Sequence, residues 1–213
     1  MVTVQISGQE RLATLDLTTE LIGQALRRAD AESDTCTALD PPILEGLLRW
    51  ARATRFLREA LIPAGWSQDN PRNLARTIHP SGEFAIVLAT GDEWTGRADY
   101  QAGPRHARGY ATEQAIYTNG QLAFDFGPLT HVGASGQFSG AGDLRTWFLL
   151  FHAEQDVFRL ELSLPEAFDG RRITRWTERI LLPAVPRLPP LQGDDWGVDS
   201  SGAQRVSLWS CSR

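Results

Sequence analysis

Lysine is absent: every one of the 21 residues counted as Lys+Arg is arginine. No Walker-A lysine can reach a nucleotide phosphate, and no side-chain amine can form a Schiff base with a carbonyl substrate or pyridoxal phosphate. The kinase strand lysine and the Ser-x-x-Lys nucleophile pair are excluded for the same reason. Methionine occurs once and asparagine three times. All three scarce residues have AT-rich codons, so a bacterium with a GC-rich genome is the simplest source; selection against lysine modification is the alternative.

Cysteine is nearly absent too. Cys36 and Cys211 form no C-x-x-C, so a thiolate zinc site is not expected, and whether the two pair depends on geometry. No apolar run approaches the roughly 18 residues of a membrane span. The opening MVTVQISGQERL has no basic region followed by an apolar core, so no signal peptide is visible and the cytoplasm is the expected compartment. There is no G-x-S-x-G elbow, and the His131 region with Ser135 lacks its spacing. No cofactor motif stands out and none is expected.

The 213 residues, 42% hydrophobic and 22% charged, suit one domain that buries roughly 70% of its unfolded surface without staples. The net charge of −5 argues mildly against general binding to nucleic acid or anionic membranes.

Alternation predicts an N-terminal hairpin: Val2, Val4 and Ile6, a Ser7-Gly8-Gln9 turn, then Ala13, Leu15 and Leu17. A helix over 19–31 follows, with Leu21, Ile22, Ala25 and Leu26 on one face. A second helix is expected after an Asp40 N-cap, with Pro41 and Pro42 in its first turn. Its apolar face would be Ile43, Leu44, Leu47, Leu48, Ala51 and Leu57, and Pro63 and Gly65 end it. Arg49, Arg52, Arg55 and Arg58 advance by roughly −60° per step. They spread around this helix as a salt-bridged solvent face, with Glu45 and Arg49, and Arg55 and Glu59, at i,i+4.

Beyond it the chain reads as β-rich. Strands over 74–78 and 84–90 flank Pro80-Ser81-Gly82. A short helix starts near Thr112 and stops at Asn119-Gly120, and 121–126 reads as a strand. The hairpin 146–152 with 156–164 is the clearest β signal. Its first strand is apolar on both faces and should be central. Its second points Phe158, Leu160, Leu162 and Leu164 inward and Arg159, Glu161 and Ser163 to water. Residues 173–182 fit either period, and strand is chosen. The expected class is α+β: a mainly antiparallel sheet built from hairpins, two helices of the N-terminal third packed on it, and an irregular Pro-rich C-terminal tail. Residues 1–182 form the single domain and 183–213 the tail, wrapped on the same body. A polyproline recognition segment within 186–190 is the alternative reading.

Chemistry concentrates between 66 and 109. Polar, glycine and proline residues surround two apolar strands there, as when loops at a sheet end form a site. Arg97, Arg105, His106 and Arg108 form a cationic loop suited to phosphate or carboxylate; a solvated loop paired with nearby acids is the bland alternative. Trp66, Trp94, Trp196 and Trp209 lie in polar context and either fasten loops or anchor a partner. The resulting expectation is a non-enzymatic bacterial binding protein. It recognises a protein partner through Trp66, Asp92, Glu93, Trp94, Arg97, Arg105, His106 and Arg108, with a defence or counter-defence complex as its setting. An alternative is a metal-dependent hydrolase or nuclease using His79, Asp92, Glu93 and Asp99, set against a turn-bonded histidine and a Gly-Asp-Glu hairpin loop. A third is nucleic-acid binding through the 97–108 loop, which predicts a steep salt dependence.

Overall fold

The computed structural model describes residues 7–106, 110–124 and 144–187. The expected strand through Val2, Val4 and Ile6 and the Pro-rich segment beyond 187, with Trp196, Trp209 and Cys211, lie outside the described residues. Cys36 is half-buried.

Helix α1 (Gly8–Ala13) replaces the expected hairpin turn. Ser7 Oγ accepts the Glu10 N–H and the Glu10 carboxylate accepts the Ser7 N–H. This capping box satisfies two donors that a turn would have left to water. Helix α2 (Thr19–Ser33) follows, capped by Thr18, and runs two residues past the expected end.

Helix α3 (Leu44–Leu61) has no side-chain cap. Asp40, the expected cap, instead accepts from the backbone and hydroxyl of Thr37. A 3₁₀ turn, Ile62–Ala64, with Gly65 at φ 90°, ends the helix as expected. Its buried face is also corrected. Ala53, Phe56, Leu57 and Leu61 face inward, whereas Ile43, Leu47 and Ala51 are exposed. The arginine pairs Arg49 with Glu45 and Arg55 with Glu59 form. Arg49 itself is buried against Asp30 of α2, and Arg58 donates to the carbonyls of Asp69 and Arg76, so the helix does not present one solvent face of arginines.

The sheet runs β1 (Ser67–Asp69), β2 (Arg76–Ile78), β3 (Phe84–Thr90), β4 (Arg145–Ala153), β5 (Val157–Phe168) and β6 (Ile173–Pro186), in that spatial order. Neighbours are antiparallel except β3 and β4, which are parallel from Phe84↔Arg145 to Thr90↔Phe151. The α+β class stands. Parallel partners cannot be joined by a tight turn, and the connection here includes α4 (Tyr110–Phe124).

Helix α4 does not stop at Asn119-Gly120, and residues 121–124 are helical rather than a strand. Asn119 has another task. Its buried amide donates to the carbonyls of Thr146 and Pro165 and accepts the Thr146 N–H, fastening α4 to β4 and β5. Asn119→Ala leaves those groups without this partner and is expected to cost about 1–3 kcal/mol, measurable by urea unfolding.

The continuous apolar run of β4 serves two cores. Trp147, Leu149 and Phe151 join α1, α2 and α3 on one face, and Phe148 and Leu150 join Ile116 of α4 and Ala102 on the other. Both faces of the central strands are therefore covered. The second face of β5 departs from expectation for the same reason: Glu161 and Ser163 are 0% exposed.

Candidate functional site

What covers Glu161 is the loop of residues 91–106, which leaves the carboxyl end of β3. Its neck closes on itself. Gly91 bridges Pro104, the Asp92 N–H donates to the Gly103 carbonyl, and the Arg105 N–H to the Thr90 carbonyl. Gly91 is also tied to β4 through the Phe151 carbonyl at 2.8 Å. Inside the loop, the Asp92 carboxylate accepts the N–H groups of Trp94 and Gly103 at 3.1 and 3.0 Å. Burial raises the Asp92 pKa above the usual carboxylate value, while those two N–H groups pull it back down.

Further contacts fasten the loop to the strands beneath. The Gly96 N–H donates to Glu161 at 2.9 Å. Arg179 of β6 grips the same carboxylate at 2.6 Å and also donates to the Tyr100 and Arg97 carbonyls. Trp176 donates to the Ala102 carbonyl, and Arg159 to the Glu93 carbonyl. Gly96 stands at φ 72°, and a Cβ there would lie 3.2 Å from the backbone of Leu160. Only glycine lets the loop rest this close to β5.

The loop thereby gathers part of the expected set. Trp94 is half-buried and stacks on Tyr100 at 4.2 Å. Glu93, Arg97, Asp99, Tyr100, Arg105 and His106 are exposed around it. Arg97 faces Glu154, which also pairs with Arg159. Arg108 and the His131 region lie outside the described residues.

Two residues are removed from the set. Trp66 is 4% exposed and packs edge-on against His79 and Phe84 in the main core. It lies at the opposite end of β3, about 20 Å away at ~3.3 Å per strand residue. His79 sits at that far end too, on the turn between β2 and β3, with Ser81 and Asp16 as its partners. The metal set His79, Asp92, Glu93 and Asp99 is therefore split by the length of a strand. Among the described residues no three His, Cys, Asp or Glu side chains are grouped to hold a metal ion. Asp92 and Glu93 do not pair either, since one carboxylate is turned into the loop and the other to solvent.

Past the neck, Arg105 and His106 meet the first half of α3 across a cleft of about 680 Å³. Ile43, Leu47 and Trp50 line one side, and Thr90 borders the floor. Trp50 is fixed by its indole N–H to the Leu88 carbonyl at 3.0 Å. Sequence reasoning missed this wall because it placed Ile43 and Leu47 on the core face of the helix. It also missed Glu161 and Arg179, although their diagonal positions on adjacent strands were the available signal. Among the described residues no helix is long and apolar enough to cross a membrane. Compared with protein-family models, curated proteins and solved structures, the chain gives no match.

Proposed function

We propose that this chain is a non-enzymatic binding protein of the bacterial cytoplasm. It recognises a protein partner through the face presented by the 91–106 loop, in a defence or counter-defence complex. The supporting observation is how the loop is held. The Asp92 carboxylate is spent on the loop's own backbone, and Arg179 and Glu161 clamp the loop from below. What remains outward is Glu93, Arg97, Tyr100, Arg105 and His106 on a pre-formed support. Such a loop loses little freedom on association.

The metal-hydrolase reading draws less support because its residues lie at opposite ends of β3. Nucleic-acid binding is favoured by no comparable feature, since Arg97 faces Glu154. The test is capture from a GC-rich bacterial lysate with the full chain as bait. A stoichiometric partner is expected, and it should be lost on combining Glu93→Arg, Arg97→Glu and Arg105→Glu while circular dichroism stays unchanged. A partner retained by that triple variant, or none captured, overturns the reading.

A further inference from the structure

We infer that the cleft between the first half of α3 and the end of the 91–106 loop seats an acidic peptide segment anchored by apolar side chains. It would be the recognition element of the partner, so the inference rests on the function proposed above.

The wall supplies the apolar half of the argument. Leu47 is 52% exposed and Ile43, the N-cap of α3, 75%, whereas Ala53, Phe56, Leu57 and Leu61 further along the helix are buried. Leu39, earlier in the same connection, is 96% exposed. A ligand small enough to fit within the cleft would leave much of Ile43 in water, whereas a polypeptide lying across the rim covers it. Exposed apolar surface rimmed by polar groups is characteristic of such an interface.

The opposite lip supplies the charge. Arginines of this chain are mostly committed: those on α2, α3, β5 and β6 pair with acids or grip carbonyls. The Arg105 guanidinium and the His106 ring have no side-chain hydrogen bond or ion pair among the described residues. Glu45, the acid on the cleft wall, is already held by Arg49. The charge left uncommitted at the cleft by the described residues is therefore cationic, and on a polypeptide the anion its fork fits is a carboxylate. Acidic residues between apolar anchors satisfy both sides at once.

The probe is a short fluorescein-labelled peptide alternating Leu and Trp with Asp and Glu, with two controls. In one the acids are replaced by lysine, and in the other the apolar residues are replaced by serine. Anisotropy with the full chain is expected to favour the acidic–apolar peptide over both controls by about tenfold or more. Arg105→Glu should erase the preference over the lysine peptide, and Leu47→Asp the preference over the serine peptide. Both positions are exposed, so the fold should survive. Equal binding of the acidic and lysine peptides overturns the inference. So does an acidic peptide whose affinity neither variant changes, or a dimer in sedimentation that Ile43→Asp dissolves. A lysate partner lost with the loop triple variant but retained by Leu47→Asp would leave the binding function standing and remove only this cleft assignment.

Discussion

Arg179→Met is expected to destabilise the protein by about 3–5 kcal/mol, the usual consequence of stripping one partner from a buried ion pair. Glu161 is 0% exposed, and in the variant its carboxylate would retain, among the described residues, the Gly96 N–H and the Ser163 hydroxyl. Desolvation of the charge would then stand against two hydrogen bonds instead of two hydrogen bonds and a guanidinium. The measurement is guanidinium unfolding of the variant beside the double variant Glu161→Leu/Arg179→Met. The double variant should recover much of the loss, because no charge is left stranded. If the single variant matches the parent protein, the latch is not a stabilising element. Arg179→Lys is the informative companion. An ammonium can neutralise Glu161 but has no planar fork to span the carboxylate and the carbonyls of Tyr100 and Arg97. That variant should stay folded while amides of the 91–106 loop exchange faster with solvent deuterium.

Asp30→Ala should be comparably severe. The carboxylate, 3% exposed, accepts Arg49 at 2.7 Å and both Nε and Nη2 of Arg187 at 2.8 and 3.0 Å. It therefore joins α2 to α3 and to the residue after β6. Arg187 also donates to the Glu154 carbonyl in the turn between β4 and β5. Removal leaves two guanidinium groups close together with no carboxylate between them, again about 3–5 kcal/mol. For a chain of this size that corresponds to a melting temperature lower by roughly 6–20 °C. Asp30→Asn keeps an acceptor without the charge and should fall between. A variant melting at the parent temperature would show that Arg49 is satisfied by Glu45 alone.

Elements whose information is local were legible in the sequence. Alternation in 156–164 and the apolar run from Trp147 to Phe151 gave the central hairpin, because strand period and burial are properties of the segment itself. Residues 173–182 resolved as strand, where the β-branched content outweighed a helical spacing. The Ser7-x-x-Glu10 capping box was present but masked by alternation on either side of it, which reads equally well as a hairpin. The parallel pairing of β3 with β4 carries no local mark, since register between distant strands is decided by what the intervening chain packs against. The site divides the same way. Loop composition located Asp92, Trp94 and Arg105, whereas Trp66 and His79 were grouped with them by sequence proximity that β3 converts into distance. Glu161 was placed in water because strand alternation says which face a side chain takes and not whether a loop will later cover it.

The pairing of β3 with β4 sets the order in which the molecule can be made. Phe84 finds its neighbour Arg145 only about 60 residues later, and α1 rests on β6, with Arg11 holding Glu178 at 2.6 Å and Gly8 lying under the Leu181 carbonyl. During synthesis the first half of the chain therefore emerges with β3 unpaired on one edge and α1 without its seat. Such long-range closure slows folding and lengthens the time that apolar strand edges stand open. A ribosome stalled anywhere before β6 holds a chain that lacks both that strand and the surface on which α1 docks.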